Sequence, residues 1–256
     1  MSILRVKRSR VLIISDIHIP YEDYRAIELL WHFIDIYHPD RIIIAGDLID
    51  FYKASKFLLH PDYGQTIKNE ISQARQFLQK LREKVPNITI DFIEGNHDFR
   101  LQKYLLSLTP ELINLEVLEL PHLLNLSELR INWHPVKQYA TSFVDNWITI
   151  GDPSINIGHF NKALQGSGMT VRNLMLQRGG NFVQGHTHRA GLIWRRGINN
   201  ELYFGVENPC LYDLNKASYI SDPDWAVGWT TITEGRPELI IIKNNSFCWG
   251  GKIYKS

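Results

Sequence analysis

The stretch ITIDFIEGNHDFR, Ile88 to Arg100, decides how the rest of the chain is read. Its first half is a short apolar run with β-branched residues, the composition of a buried strand. The run stops at Gly95 and then presents Asn96, His97 and Asp98 side by side. A strand-to-helix turn uses a glycine and an Asn or Asp for local hydrogen bonding. It has no use for a histidine as well. Taken alone the stretch reads either as a capped turn or as functional side chains at a strand end, and the other strand ends have to decide.

Around this stretch, short apolar runs alternate with longer amphipathic ones. RVLIIS, Arg10 to Ser15, reads as a buried strand. DYRAIELLWHFIDIYH, Asp23 to His38, carries Ile27, Leu30, Trp31 and Ile34 at helical spacing and stops before Pro39. RIIIAG, ending at Gly46, is a second strand. Gln65 to Leu81 is a helix with Ile67, Ile71, Ala74, Phe77, Leu78 and Leu81 on one face, and ITIDFIEG is the third strand. The order β-α-β-α-β predicts a parallel sheet covered by helices.

Leu101 to Leu126 is leucine-rich and reads as helix in pieces. INWHPV, NWITI and INIGHF follow as strands, Lys162 to Gln177 as a helix, and GGNFVQGH as another strand. From Gly191 the pattern is β throughout: LIWRRG, ELYFGVEN, WTTITE, ELIIIK and KIYKS, divided by turn signals such as NN and EGRP. We expect one domain over residues 1–256, with the core motifs in 11–190 and antiparallel strands in 191–256.

Composition removes several function classes. A hydrophobic fraction of 44% and a charged fraction of 21% are those of an ordinary globular chain. A net charge of +1 over 256 residues offers no global field for nucleic acid or membrane, so charge does not point to a nucleic-acid partner. Arg5, Lys7, Arg8 and Arg10 make the N-terminus basic, but VLII after them is too short for a signal peptide core. No membrane span is expected, and Cys210 and Cys248 alone make no disulfide framework, so the expected location is cytoplasmic.

The strand ends carry the chemistry. The first runs into SDIH, with Asp16 and His18; the second into GDLID, with Asp47; the third into GNHD. Two later ones end in GH, with His159, and in GHTH, with His186 and His188. In open α/β sheets ligands bind outside the carboxyl ends of the strands, so these side chains converge. Carboxylate, imidazole and amide oxygen without any thiolate suit divalent metal ions from magnesium to zinc. In Asp16-x-His18 and His186-x-His188, strand alternation puts both side chains on one side. Asp47 has two oxygens and can bridge two ions. Gly46, Gly95, Gly158 and Gly185 are expected to turn the backbone away and keep the approach open.

The series D-x-H, G-D, G-N-H-D, G-H and G-H-x-H, in that order over residues 16 to 188, resembles the calcineurin-like metallophosphoesterase superfamily, and most closely its uncharacterised bacterial and phage phosphoesterases. The resemblance implies an α/β fold, a four-layer sandwich of two mixed β-sheets flanked by helices. It implies two divalent metal ions, Mn first, with Fe, Zn, Mg or Ni as alternatives. Asp16, His18 and His188 would hold one ion, and Asn96, His159 and His186 the other, with Asp47 bridging. His97 would face the substrate as general acid, with Asp98 accepting a hydrogen bond from its other nitrogen. The implied reaction is in-line attack on phosphorus by a hydroxide held between the two ions, with no serine or cysteine nucleophile.

The substrate is left open between phosphomonoester and phosphodiester. Protein phosphatases of the superfamily follow G-D with an Asp-Arg-Gly run, whereas Phe51 and Tyr52 stand here, which argues against that activity. Arg100, one helical turn past His97, is placed either to bind phosphate beside Asn96 and His97 or to be solvated. A nuclease is the rival specificity: Arg189, Arg195, Arg196 and Trp194 follow the GHTH motif, or else form an alternating surface strand. A scaffold without catalysis is the third reading, opposed by the intact His97. NPCLYDLNKASYISDPDWAVGWTTI, with Tyr212, Tyr219, Trp225 and Trp229, reads as a packed strand pair, with a lid or oligomer contact as alternatives. His32, His38, His60, His122 and His134 show no ligand spacing and read as structural or surface residues.

Overall fold

A computed structural model describes residues 9–55, 65–112, 115–136, 142–198, 200–217 and 223–255, so His60 and Tyr219 lie outside the described residues. Strands β1 (Arg10–Ile14), β2 (Arg41–Ala45), β3 (Thr89–Ile93) and β4 (Ile131–His134) pair in parallel in that order. Helices α1 (Tyr24–Tyr37) and α2 (Ile67–Lys84) make the first two crossovers. Helix α1 starts where the Asp23 carboxylate accepts from Arg25 N and Ala26 N, and ends at His38 in the left-handed region, one residue before Pro39. The leucine-rich middle contains α3 (Arg100–Leu108), two short 3-10 turns and α4 (Leu120–Leu123).

The second sheet holds β5 (Asn146–Ile150), β6 (Ile155–His159), β7 (Asn181–Gln184), β8 (Gly191–Arg196) and β9 (Leu202–Glu207), in the spatial order β5-β6-β7-β9-β8. Helix α5 (Met169–Arg178) crosses from β6 to β7. After their first residue, β1 and β2 are apolar and buried at every position, because both faces of the first sheet are covered there. On one face Leu12, Ile14, Ile42, Ile44, Ile90 and Phe92 pack with α1 and α2. On the other Val11, Ile13, Ile43, Ala45 and Ile93 meet Ile155, Ile157, Val183, Phe204 and Val206 of the second sheet. Beyond the second sheet, Phe160 and Phe182 pack with Val171, Leu174 and Met175 of α5. The layers are helix, mixed sheet, mixed sheet, helix, the sandwich that the motif series implied.

Three expectations change. The helix drawn from Lys162 begins at Met169, because Gly166 and Gly168 take φ of +91° and +79° ahead of it. The part after Gly191 is not a separate antiparallel half: β9 lies parallel to β7, while β10 (Gly228–Thr233) returns to the first sheet antiparallel to β1, with β11 (Arg236–Ile241) outside it. The last strand has a partner that its short apolar content concealed: β12 (Ser246–Trp249) pairs with β13 (Lys252–Lys255), and its Phe247 seats against Phe33 and Trp229.

Candidate metal centre

Because β1, β2 and β3 are parallel neighbours and β6 and β7 are too, their carboxyl ends open onto one edge of the sandwich. Backbone hydrogen bonds lock the loops together there. Asp16 N donates to Gly46 O at 3.0 Å and Ile17 N to Asp47 O at 2.9 Å. His186 N donates to the Asp16 carboxylate at 3.0 Å, and His97 N to Asp47 Oδ1 at 2.8 Å.

The seven expected ligands come together in two groups. Asp16, His18 and His188 offer ligand atoms within 4.8 Å of one another, and so do Asp47, His159 and His186. Asn96 joins the second group, its Oδ1 lying 2.8 Å from His159 Nε2. Asp47 Oδ2 stands between the groups, 3.3 Å from His159 Nε2 and 3.7 Å from His18 Nε2.

The donor chemistry of this chain fits metal cations. His159 Nδ1 lies 3.0 Å from Ala45 O, which keeps a proton on Nδ1 and turns the Nε2 lone pair toward Asn96 Oδ1 and Asp47 Oδ2. His18 Nδ1 lies 3.1 Å from Asp50 Oδ2, so its Nε2 lone pair faces His188 Nε2 at 3.0 Å. Lone pairs converging in a buried site call for positive charge between them. Burial alone would push the Asp16 and Asp47 carboxyls up, but the neighbouring imidazoles outweigh it and hold both below the usual carboxylate range. Burial keeps His186, near 4, and His188 neutral, the form that ligates. His159 is the exception: the Asp47 carboxylate outweighs burial and raises it to about 9, so a metal binding at its Nε2 must displace a proton.

Backbone strain marks the same residues. Asp16, His18, Asp47, His186 and His188 have φ between +52° and +84°, a region that non-glycine residues rarely occupy. The sharp bends therefore fall on the ligands themselves, and the glycines mostly serve another purpose. A Cβ at Gly95 would land on Asp47 N and Oδ1, and one at Gly185 on Ala45 O and Asp16 Oδ2. These glycines permit close approach rather than a turn.

His97 sits at the rim, its ring 4.3 Å from that of His18. Its Nδ1 is 3.1 Å from both Asp50 O and Asp50 Oδ2, and its Nε2 accepts from Arg100 Nη2 at 2.9 Å. Arg100 Nη1 in turn donates to Asp50 O at 3.0 Å. The expected pairing of Asp98 with His97 is corrected: the buried Asp98 carboxylate accepts from Ile49 N at 3.0 Å and Gly95 N at 2.9 Å. It ties the GDLID loop to the GNHD loop, and burial with the nearby Asp47 raises it to about 7. The orienting carboxylate is Asp50, held below its ordinary range because His97 and His18 outweigh burial. Its signal was present as the second acid of GDLID.

Glu207 was also missed. Fully buried at the end of β9, it accepts from Thr170 N at 2.8 Å and Val171 N at 3.2 Å, and from Thr187 Oγ1 at 3.4 Å. It thus fixes the loop between His186 and His188 to the start of α5. The aromatic segment splits in two: Trp229 is a core residue of β10, while Tyr212 and Trp225 stand beside His18 and His188. Arg189 is turned inward, donating to Leu164 O at 2.7 Å, and β8 alternates half-buried and exposed positions, so this segment matches the surface-strand reading. His134 pairs with the buried Asp91 at 2.8 Å, away from the centre.

The family model for calcineurin-like phosphoesterase matches residues 9–190. Two curated relatives are similar over almost the whole chain. The gene 54 protein of Mycobacterium phage L5 is 27% identical over 96% of this chain and 98% of its own length. The gene 54 protein of Mycobacterium phage D29 is 28% identical over the same shares. Among solved structures, a metallophosphoesterase from Sphaerobacter thermophilus aligns with a TM-score of 0.46 at 14% identity, covering 92% of this chain and 88% of that one.

Proposed function

Because the chain belongs to the calcineurin-like phosphoesterases, we propose that it hydrolyses phosphate esters with two divalent metal ions. Asp16, His18 and His188 hold one, Asn96, His159 and His186 the other, and Asp47 is shared. The observation that carries this reading is the pair of ligand groups with Asp47 Oδ2 between them. Metal ions bound there would supply the acidity that ionises a water and the positive charge that neutralises the phosphoryl oxygens. Manganese is the first candidate to test, with Fe, Zn, Mg and Ni beside it, because a set of oxygen and imidazole nitrogen admits all of them.

The protein's own residues position the ester and manage the leaving group. Arg100 donates to His97 Nε2 at 2.9 Å, the same nitrogen from which a proton must reach the departing oxygen. A phosphate oxygen that takes the Arg100 fork releases that nitrogen, so substrate binding and acid readiness are one exchange of partners. Asp50 supports the imidazolium from behind through Nδ1. Asp98 keeps the two loops in register. No described helix is long and apolar enough to cross a membrane, and we place the reaction in the cytoplasm, where the exposed, unpaired Cys248 would stay reduced.

The test is metal-stripped protein assayed on p-nitrophenyl phosphate and bis-p-nitrophenyl phosphate, with Mn, Ni, Zn and Mg added back and His97→Ala alongside. Activity that returns with metal supports the reading. Tight binding of two ions without turnover on either ester would replace it with a metal-binding scaffold.

A further inference from the structure

Resting on the phosphoesterase reading, we propose that Trp225, backed by the buried Tyr212, forms a stacking wall beside the Asp16–His18–His188 group, and that the wall selects phosphodiesters carrying a flat heteroaromatic group of the nucleobase kind. Tyr212 is buried, with its ring 5.5 Å from that of His18 and 6.0 Å from that of His188. Its hydroxyl donates to Lys216 O at 3.1 Å, which fixes the ring. Trp225 stands perpendicular to Tyr212 at 6.0 Å, with its ring 4.3 Å from that of His188.

The wall is tied to the ligand loops through the backbone. Ala226 N donates to His188 O at 2.9 Å, Cys210 N to Ala226 O at 3.0 Å, and Leu211 N to Asp16 O at 3.1 Å. Wall and ligands therefore hold one register. Trp229 in the same segment is fully buried, whereas Trp225 packs on the cluster of Cys210, Tyr212 and Ala217 and is half-buried at the rim. An indole in that place offers a large, rigid apolar face to whatever extends from a phosphorus atom held beside His188. Every nucleobase has a π-face to set against it.

The opposite flank repeats the arrangement. Phe143 is half-buried, with its ring 5.7 Å from that of His159 in the second ligand group and 6.3 Å from that of Phe99. A diester has two ester groups leaving phosphorus in different directions, and an aromatic side chain waits on each side. A monoester would use one.

The assay uses metal-loaded full-length protein and two diesters of equal charge and identical leaving group: thymidine 5′-(p-nitrophenyl phosphate) and methyl p-nitrophenyl phosphate. The expected kcat/KM favours the thymidine ester by about ten-fold, as one stacked base provides. Trp225→Leu should bring that ratio to near one, and Trp225→Phe should keep most of it. An unchanged ratio in Trp225→Leu, or no preference in the unaltered protein, overturns the wall. If neither ester is cleaved, the phosphoesterase reading fails separately, and calorimetric binding of thymidine monophosphate against methyl phosphate still decides. About ten-fold tighter binding of the nucleotide that is lost in Trp225→Leu supports the wall; equal affinity refutes it. When the wall is supported, faster cleavage of a single-stranded oligonucleotide than of a cyclic mononucleotide assigns the base to a strand, and the reverse to a free nucleotide.

Discussion

Replacing Asp50 by asparagine tests the catalytic arrangement most directly, because all three groups facing its carboxylate are donors. His18 Nδ1 and His97 Nδ1 each lie 3.1 Å from Oδ2, and Arg100 Nη1 lies 3.4 Å from Oδ1. The amide keeps the shape but has one acceptor, and its NH2 must face a donor. Losing one charge-assisted hydrogen bond removes about 1.5–3 kcal/mol, which is roughly ten- to a hundred-fold. On the His18 side the loss should appear as metal affinity weakened by about 10–100-fold, the effect of removing a carboxylate behind a ligating imidazole. On the His97 side it should depend on the leaving group. An alkyl phosphate needs its departing oxygen protonated and p-nitrophenolate does not, so kcat/KM should fall about ten-fold further on the alkyl ester. The Asp50 carbonyl, which survives the substitution, still holds His97 Nδ1 and keeps the loss below a complete knock-out. Asp98→Asn should behave in the opposite way. Its amide would strand one buried N–H of Ile49 or Gly95, costing about 1–3 kcal/mol of stability with no leaving-group dependence. Metal titration by calorimetry, paired esters and thermal melts separate the two. If Asp50→Asn binds metal normally and loses the same factor on both esters, or if Asp98→Asn shows the leaving-group effect, Asp50 is not the carboxylate that orients His97 and His18.

Gly95→Ala should cut metal binding by at least about ten-fold, because the added Cβ meets both the backbone N and the carboxylate of Asp47 and forces the two loops apart; normal two-metal occupancy by calorimetry would show that the displaced loop still presents its carboxylate. Arg100→Lys exchanges a planar fork for a point charge, so KM for a phosphate ester should rise about ten-fold with a smaller change in kcat, and an unchanged KM would return Arg100 to a purely structural part. Glu70 is fully buried in the first turn of α2, where burial and the nearby Asp50 raise it from an ordinary 4.5 to about 8. The folded state therefore keeps a proton that the unfolded chain has lost, and stability falls as pH rises from 4.5 to 8. The neutral Glu70→Gln should gain stability over the parent at pH 9 relative to pH 5, by at least about 1 kcal/mol in melts; an equal difference at both pH values would mean that Glu70 titrates normally.

The first sheet was legible because its strands are buried on both faces and so read as unbroken apolar runs, from Val11 to Ile14 and Ile42 to Ala45. The destination of the later strands was not legible. Alternation in WTTITE announces a strand, but nothing local tells Thr230 that its partner is Ile13, more than two hundred residues back. Helix α5 starts seven residues later than the sequence suggests, because Lys162 to Ser167 is compatible with a helix until the left-handed glycines are seen. At the site, the candidate ligands that the structure brings together were legible since metal chemistry admits few residue types, and each sits in a short motif at a strand end. The role that the resemblance implies for Asp98 falls to Asp50 instead. His97 and Asp98 both meet the GDLID loop, but at different partners: His97 sits at the rim against Asp50 and Arg100, while the buried Asp98 accepts from Ile49 N and Gly95 N.

The pattern of strain explains why so few residues carry so much of the signal. Five of the ligand residues hold left-handed backbone conformations, each costing about 1–3 kcal/mol. That sum is comparable to the whole stability of a domain, so it must be distributed over a rigid support. The support is the sandwich: Ile17 N and His18 N both donate to Asp47 O, Ile19 N donates to Leu48 O, and Gly185 N donates to Gly158 O, each bond joining one ligand loop to its neighbour. The loops thus stabilise one another pairwise, and the sheet beneath fixes their spacing. A single loop of this kind, moved to another scaffold, would relax and lose its ligand. For that reason D-x-H or G-D alone carries little information, while the five together, in order and at adjacent strand ends, define the centre.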